Sequence, residues 1–336
     1  MTANIGFLII GAQKGGTTSL AEYVRRHPQV HMPPEMAVAF FNTNHTFQRG
    51  WDWYRSTVVR GAPRNAVCGE VSPFYMNGTP FGNFIANEEG GPPPSLPGSE
   101  PLVEEIPRRI REFLPNVKLV CVLRDPVARA YSHYRMMVLE RAESRSFDEA
   151  VAQIMEPEIM EQARIAPTRT NNYIVNGEYA RVLAGFLRVF PRDQLMAISS
   201  DQLAERPAET LAALYEFIGV APDFVPDNLG TRYRAAAERE RINRFSLKDL
   251  QRNLARVRSA RALWHALPND VRDRVDRSFN VASYRFGLWN ARRDVVGADI
   301  PPAVRQNLMA HYWPDSEALG EMLGQDIPWL ATWNRL

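Results

Sequence analysis

The feature that most constrains the fold is a glycine-rich loop between a short apolar run and a helical pattern. Residues 5–10 read IGFLII and end at a glycine, as expected of a buried strand. Residues 11–18 read GAQKGGTT, and residues 18–26 show apolar side chains at helical spacing until His27 and Pro28. A glycine-rich loop that enters a helix offers backbone N–H groups and the positive helix end to an anion. The sequence therefore predicts a phosphate-binding loop.

The lysine of this loop stands in an unusual place. In loops that bind nucleoside triphosphates, a lysine directly follows the second glycine and reaches the β- and γ-phosphates. Here that position is Thr17, and the only nearby lysine is Lys14, inside the loop. Either the ligand differs from a nucleoside triphosphate, or the segment is a glycine-rich turn without a ligand. The candidate binding residues are Gln13, Lys14, Gly15, Gly16, Thr17, Thr18 and Ser19.

Strand and helix patterns alternate as far as residue 218. Residues 117–123 read VKLVCVL, the apolar run of a parallel strand that is covered on both faces. This alternation predicts a single α/β domain over residues 1–336, with a phosphate-loop-type, mainly parallel sheet flanked by helices and a helical C-terminal extension. Two insertions are expected, a proline- and glycine-rich loop at 78–101 and a mostly helical, arginine-rich segment at 231–295. Further strands are predicted at 67–70 and 195–199, and helices at 106–114, 126–139, 178–190 and 207–218.

Composition excludes several classes of protein. The chain has 40 basic and 38 acidic residues, so no bulk positive field indicates nucleic-acid binding. No apolar run approaches the roughly 18 residues of a membrane span, and the first residues lack the features of a signal peptide. Cys68 and Cys121 lie in apolar runs and predict buried thiols of a reducing compartment, so we expect a cytoplasmic protein. Nothing in the sequence indicates an oligomeric state.

A second phosphate signal follows the strand at residues 117–123. A magnesium-dependent nucleotide enzyme carries a carboxylate at this point, but here the strand runs into Arg124. Because the carboxyl ends of parallel strands form the ligand crevice of an open α/β sheet, this arginine is placed to bind a second phosphate. Ser132 lies eight residues further on and can donate to the same phosphate. The pattern favours a ligand with two separated phosphates and little need for a metal; the alternative is that Arg124 pairs with Asp125 or Glu70.

Both signals resemble the motifs of one family. GAQKGGTTSL resembles the 5′-phosphosulfate loop, and LRDPVARAYSHY the 3′-phosphate motif, of sulfotransferases that use 3′-phosphoadenosine 5′-phosphosulfate (PAPS). The resemblance is to the bacterial and heparan-sulfate-type branch, and it covers nearly the whole chain except the proline-rich loop and residues 231–261. Supporting segments are HPQV, FFN, RGWDWY, GEVSPFY, GEYARVLAGFLRVFPRDQLMAI, LYEFIGV and HYWPDSEALGEMLGQDIPW.

The resemblance implies a reaction and a set of roles. PAPS would be the co-substrate, no metal would be required, and the acceptor would be a hydroxyl of a small molecule, glycan or lipid. In sulfuryl transfer by in-line displacement, negative charge grows on the bridging oxygen as the nucleotide leaves. Lys14 would stabilise that charge as the leaving-group electrophile. Arg244, with Arg234 and Arg241, lies where relatives carry a loop over the 3′-phosphate and adenine; the alternative is a solvated helix face.

The general base that the resemblance implies is missing. In this branch a glutamate usually stands three residues before a Phe-Phe pair, directly after a lysine, but here these positions hold Ala37 and Met36. The candidate replacements are Glu35, His133 and Glu70. Glu35 could instead be a solvated loop acid, His133 a helix-face residue and Glu70 an ion-pair partner. An acidic acceptor such as a phenol would need little base.

Two other functions stay open at this stage. One is a phosphate-loop kinase, which would bind ATP together with magnesium. The other is a nucleotide-binding scaffold without catalysis, because the usual lysine and glutamate are absent before Phe40. Binding of adenosine 3′,5′-bisphosphate without metal would count against the kinase, and sulfate transfer to any acceptor would exclude the scaffold.

Overall fold

The main sheet contains five parallel strands in the order β2-β3-β1-β4-β5. The structure is a computed structural model that describes residues 4–33, 37–77, 104–140, 142–165, 167–168, 170–231, 241–243, 291–293 and 299–334. The strands are β1 (Asn4–Gly11), β2 (Val30–His31), β3 (Val67–Val71), β4 (Lys118–Leu123) and β5 (Leu195–Ser199). This sheet confirms the predicted α/β fold.

Helices connect the strands and extend the chain beyond them. The neighbouring inner strands β1 and β4 are buried along nearly their whole length, as expected of parallel strands covered on both faces. The helices are α1 (Thr17–Val24), α2 (Asn44–Phe47), α3 (Trp51–Val58), α4 (Glu105–Phe113), α5 (Pro126–Leu139), α6 (Phe147–Ile154), α7 (Pro157–Ile165), α8 (Tyr179–Val189), α9 (Ser200–Glu205), α10 (Pro207–Ile218), α11 (Pro302–Leu323) and α12 (Pro328–Trp333). The last two confirm the predicted helical C-terminal extension.

The strands and helices that were predicted with bounds lie within one or two residues of those bounds, whereas the helices α2, α3, α6, α7 and α9 were not predicted. Strand β2 was missed because two residues are too few to show an alternating pattern. Strand β3 extends one residue further than predicted, to Val71. The predicted proline-rich loop at 78–101 lies outside the described residues.

The chain divides into two compact units. One comprises residues 1–137, 143–233 and 300–336 and contains the main sheet. The other comprises residues 138–142 and 234–299, where two short strands pair in antiparallel fashion, β6 (Arg241–Asn243) and β7 (Ala291–Arg293). Apart from these strands, residues 232–298 lie outside the described part of the chain. The mostly helical segment predicted at 231–295 therefore stays a prediction.

The register of the central strands brings three segments to one edge of the sheet. Ile9 of β1 lies opposite Val71 of β3, and Gly11 of β1 lies opposite Cys121 of β4. Because the strands are parallel, their carboxyl ends meet at this edge. The glycine-rich loop, the segment after β3 and the segment that begins at Arg124 therefore leave the sheet side by side.

Both cysteines are free and buried, as predicted. Burial raises the pKa of the Cys121 thiol to about 12, so this side chain packs in β4 as a small apolar group. Cys68 occupies the same kind of position in β3, and burial raises the pKa of its thiol as well. Among the described helices, none combines the length and the apolar character needed to cross a bilayer.

The C-terminal helix α11 is bound to the N-terminal end of α8. The Asp315 carboxylate accepts hydrogen bonds from the backbone N–H groups of Ala180 and Arg181, at 3.1 Å each. These N–H groups belong to the first turn of α8 and have no acceptor within the helix. The Tyr312 hydroxyl donates to the Ile174 carbonyl at 2.9 Å, just before the helix. Helix α11 therefore fixes the position at which α8 begins.

Glu178 lies directly before α8 and is the centre of a buried ion-pair cluster. Its carboxylate accepts hydrogen bonds from Arg164 at 2.6 Å, Arg181 at 2.5 Å and His311 at 3.2 Å. Burial by itself would raise the pKa of Glu178, but the bonds from His311 and Arg164 and the charge of Arg181 lower it to about 2. The ionised form of Glu178 therefore stabilises this region.

The Glu178 cluster predicts a specific sensitivity to acid. Because the folded-state pKa lies below the ordinary 4.5, this stabilisation is complete above that value and is lost as the pH falls toward about 2. We expect wild type to lose about 2 kcal/mol more unfolding free energy than Glu178→Gln between about pH 7 and about pH 3, measured by urea denaturation. Glu161→Gln, which alters a largely exposed partner of Arg164, is the control. Parallel losses in wild type and Glu178→Gln would contradict the assignment.

Candidate active site

The glycine-rich loop is seated on the end of β4. The backbone N–H of Ala12 donates to the Val122 carbonyl at 2.9 Å, and the N–H of Gly15 donates to the Ala12 carbonyl, also at 2.9 Å. A Cβ atom on Gly15 would lie only 2.2 Å from the Val122 carbonyl oxygen, well inside van der Waals contact. Glycine at this position is therefore what allows the loop to lie so close to β4.

The loop enters α1 through two residues with positive φ. Lys14 has a φ of 69°, which is uncommon for a residue with a side chain, and Gly16 has a φ of 116°. The first N–H groups of a helix have no acceptor within the helix, and at α1 no side chain caps them. These donors at a positive helix end fit a phosphate or sulfate group.

The predicted loop residues differ in their exposure. Gly15 and Thr17 are buried and hold the loop on the sheet. The side-chain oxygen of Gln13 is buried and has no hydrogen-bond partner within the described part of the chain. Partly exposed positions, from which a ligand can be contacted, are held by Gln13, Lys14, Gly16, Thr18 and Ser19.

Arg124 directly follows β4 and lies two residues after Val122, to whose carbonyl the loop is bonded. Its side chain is partly exposed, and its carbonyl accepts a bond from the Tyr179 hydroxyl at 2.9 Å. The predicted alternative, an ion pair with Asp125 or Glu70, is not formed among the described residues. Asp125 instead accepts bonds from two backbone N–H groups in the first turn of α5. Ser132 lies further along the same helix and is partly exposed.

Glu70 is fully buried and holds four hydrogen-bond donors. One carboxylate oxygen accepts from the N–H groups of Val38 at 2.8 Å and Ala39 at 3.3 Å, and the other from the hydroxyls of Tyr54 at 2.7 Å and Tyr75 at 2.9 Å. Burial raises the pKa of Glu70 above its ordinary value, against the lowering effect of these bonds. This environment favours a structural anchor over a base that an acceptor could reach. The four hydrogen bonds of Glu70 take the place of the predicted ion pair with Arg124.

The segment anchored by Glu70 contains the position where the resembled branch carries its base. Ala37 has a φ of 64°, and its N–H donates to the Val71 carbonyl at the end of β3, at 2.9 Å. Ala39, with a φ of 57°, is bound to Glu70. The backbone at Ala37 is therefore held at the carboxyl edge of the sheet although its side chain has no ionisable group. Glu35, another candidate base, lies outside the described residues, and so does Arg244.

His133 lies on the buried side of α5. Its ring packs edge-on against Tyr173, with 5.1 Å between ring centroids, and Nδ1 lies 3.5 Å from a guanidinium nitrogen of Arg129. Only 2% of the residue is exposed. This placement favours the packing role that the sequence left as the alternative to a base. Among the described residues, no group of three or more His, Cys, Asp and Glu side chains is arranged to hold a metal ion.

Sequence analysis missed the tyrosines that complete this edge of the sheet. Tyr75 follows Glu70 within the quoted GEVSPFY, and a carboxylate at the end of a buried strand needs such donors. The need of this carboxylate for donors was the signal in the sequence that could have indicated Tyr75. Tyr54 lies 16 residues from Glu70, and Tyr179 lies 55 residues from Arg124. At those separations no local pattern indicates the contact.

Comparison with protein families gives one match that covers most of the chain. A sequence model described as "Sulfotransferase family" matches residues 7–224. A crystal structure of a sulfotransferase from Alicyclobacillus acidocaldarius superposes with a TM-score of 0.61 and covers 97% of this chain and 98% of its own. Its sequence identity is 22%, so this likeness shows the fold alone.

Curated relatives match over a shorter range. Heparan sulfate glucosamine 3-O-sulfotransferase 3B1 of Mus musculus is 27% identical over 213 residues, which are 63% of this chain and 45% of the relative. Heparan sulfate glucosamine 3-O-sulfotransferase 6 of Homo sapiens is 29% identical over 214 residues, 63% of this chain and 52% of the relative. The match thus spans about half the length of these relatives.

The Glu70 network predicts a large and specific loss of stability on mutation. In Glu70→Gln, an amide donor would replace one of the acceptor oxygens that now receive hydroxyl and backbone donors. We expect the unfolding free energy to fall by about 3 kcal/mol, because buried donors lose their acceptor. Urea denaturation measures this loss. Glu105→Gln, which alters a partly exposed partner of Arg109, is the control, and an equally small loss in both variants would refute the anchoring role.

Proposed function

Because this chain belongs to the sulfotransferase family, we propose that it transfers a sulfuryl group from PAPS to a hydroxyl group of an acceptor. The match over residues 7–224 confirms the family that the two phosphate motifs predicted. The observation that carries the proposal is the seat of the loop on Val122, two residues before Arg124. A ligand with a phosphosulfate and a separate ribose phosphate needs cations at two neighbouring points. The loop and Arg124 are the two candidates for these points.

The residues of each point fit the corresponding end of PAPS. At the loop, the uncapped N–H groups of α1 and the hydroxyls of Thr18 and Ser19 suit the phosphosulfate. At the end of β4, the guanidinium of Arg124 suits the ribose phosphate, because a guanidinium can donate two parallel bonds to phosphate oxygens. Ser132, partly exposed on α5, adds a hydroxyl donor there.

The proposed reaction needs charge stabilisation on the leaving side. The acceptor oxygen forms a new bond to sulfur while the bond between sulfur and the 5′-phosphate oxygen breaks, and the acceptor proton passes to a base or to solvent. Negative charge grows on the oxygen that leaves with the nucleotide. Lys14 is the cation of the loop, and we assign it the stabilisation of that charge.

The missing base bears on the class of acceptor. The names of the curated relatives describe a glycan acceptor, heparan sulfate glucosamine. A sugar hydroxyl is weakly acidic and needs a base to remove its proton. Among the described residues, Ala37 supplies none, and Glu70 and His133 are buried in contacts of their own; Glu35 lies outside the described part of the chain. Among small-molecule, glycan and lipid hydroxyls, we therefore favour one that ionises readily, such as a phenol.

The role of Lys14 is tested by its removal. We expect Lys14→Ala to keep the fold and to lower the turnover number by roughly 10²–10³, as for other lost transition-state donors. The measurement is transfer of radiolabelled sulfate from PAPS to a phenol. Lys118→Ala is the matched control, because Lys118 lies at the amino end of β4, away from the loop. Equal rates in wild type and Lys14→Ala would remove Lys14 from the mechanism.

The donor is tested by ligand-induced thermal stabilisation. Adenosine 3′,5′-bisphosphate without metal should raise the melting temperature, and Arg124→Ala should reduce this rise while leaving any rise with adenosine 5′-phosphate in place. A rise with ATP and magnesium, and none with the bisphosphate, would favour the kinase. Stabilisation by the bisphosphate without sulfate transfer to any acceptor would favour a nucleotide-binding scaffold.

A further inference from the structure

The C-terminal helices contact the segment that carries Arg124, although they lie about two hundred residues further along the chain. Arg124 and Asp125, which we call the Arg124 corner, form the link between β4 and α5. In the proposed function this corner binds the ribose 3′-phosphate, and the present inference rests on that assignment. Sequence analysis gave the C-terminal extension no role in the reaction.

Asp125 connects the corner to the last described helix. Its Oδ1 accepts bonds from the N–H groups of Val127 at 2.8 Å and Ala128 at 3.2 Å, and so caps α5. Its Oδ2 accepts a bond from the indole N–H of Trp333, at 3.2 Å. Trp333 is buried, and a buried indole N–H needs an acceptor. One carboxylate therefore holds both the start of α5 and the end of α12.

The carbonyl of Arg124 is held from the same side. It accepts the bond from Tyr179, the first residue of α8, and the Tyr179 ring packs edge-on against Trp329 of α12, with 5.9 Å between centroids. The indole N–H of Trp329 donates to the Ser316 hydroxyl on α11, at 2.9 Å. Helix α11 also caps α8 through Asp315. Both residues of the corner are thus tied to the C-terminal helix pair.

This arrangement bears on binding because bidentate contact between guanidinium and phosphate tolerates little error in direction. The direction of the Arg124 side chain depends on the main chain at the corner. Among the described residues no carboxylate pairs with its guanidinium, and the contacts recorded at the corner are those of the Arg124 carbonyl and of Asp125. The contacts of Asp125 and of the Arg124 carbonyl are made by Trp333 and Tyr179.

We infer that Trp333 is a positioning residue for the 3′-phosphate site. Its indole N–H holds Asp125, and through it the Arg124 corner, in the geometry that binds a ribose phosphate. The C-terminal helix would then contribute to the choice between nucleotides with and without a 3′-phosphate, although it contacts neither phosphate directly. A structural role without this coupling would affect both kinds of nucleotide equally.

The test is calorimetric titration of Trp333→Phe with two ligands. Phenylalanine keeps an aromatic ring and removes the N–H donor to Asp125. We expect the affinity for adenosine 3′,5′-bisphosphate to fall about tenfold, the effect of losing one of the two hydrogen bonds between a displaced Arg124 guanidinium and the 3′-phosphate. The affinity for adenosine 5′-phosphate should change by less than about twofold, because that ligand has no group at the corner.

A neighbouring substitution and a second variant complete the test. Thr332→Val alters an exposed residue of the same helix and should leave both affinities unchanged. Asp125→Asn breaks the same contact from its other end, because the amide N–H₂ would face the indole N–H while the amide oxygen can still cap α5. It decides the question if Trp333→Phe does not fold, as judged by circular dichroism. An equal loss for both ligands, or no loss for the bisphosphate, would overturn the inference.

Arg124→Ala separates this inference from the proposed function. If wild type prefers the bisphosphate over the monophosphate and Arg124→Ala removes that preference, the 3′-phosphate site stands. An unchanged preference in Trp333→Phe and Asp125→Asn then refutes the positioning role alone. If wild type shows no preference, the assignment of the corner fails and the positioning role fails with it.

Discussion

The site depends on one contact, the seat of the glycine-rich loop on the carbonyl of Val122. This carbonyl lies one residue before the end of β4 and accepts the N–H of Ala12, while Gly15 lies against it with no room for a Cβ atom. Because β1 and β4 are neighbouring parallel strands, the loop and Arg124 then start from adjacent points. A side chain at position 15 would push the loop away from β4 and so away from Arg124.

The other half of the same edge is organised by a carboxylate. Glu70 ends β3 in a fully buried position, and such a group must collect donors. It takes two from tyrosine side chains and two from the backbone of residues 38–39, and so holds the segment that starts at Ala37. The segment is thus fixed at the edge of the sheet, although Ala37 has no ionisable side chain.

Two aspartates connect the sheet to the C-terminal helices, and both do so by capping. Asp125 caps α5 and accepts from Trp333, and Asp315 on α11 caps α8, whose first residue holds the Arg124 carbonyl. The N–H groups at the start of a helix need hydrogen-bond acceptors from outside the helix. Satisfying them with residues from distant segments ties the ligand edge of the sheet to helices that contribute no residue to it.

Local sequence was enough to predict four of the five strands of the main sheet, its mainly parallel pairing, the longer helices between its strands and the two segments that resemble phosphate motifs. Those features depend on apolar periodicity, on glycine at a tight turn and on a cation directly after a strand, all of which are written in short segments. The partners of buried polar groups were not predictable in this way. Glu70 was a candidate base or a partner of Arg124, and His133 was a candidate base or a helix-face residue, yet both are enclosed by other residues. Several of their partners lie far away in the chain: Tyr54 is 16 residues from Glu70, and Trp333 is 208 residues from Asp125. A buried donor or acceptor takes whichever group the packed chain brings within reach, and that choice exists only after the elements have assembled.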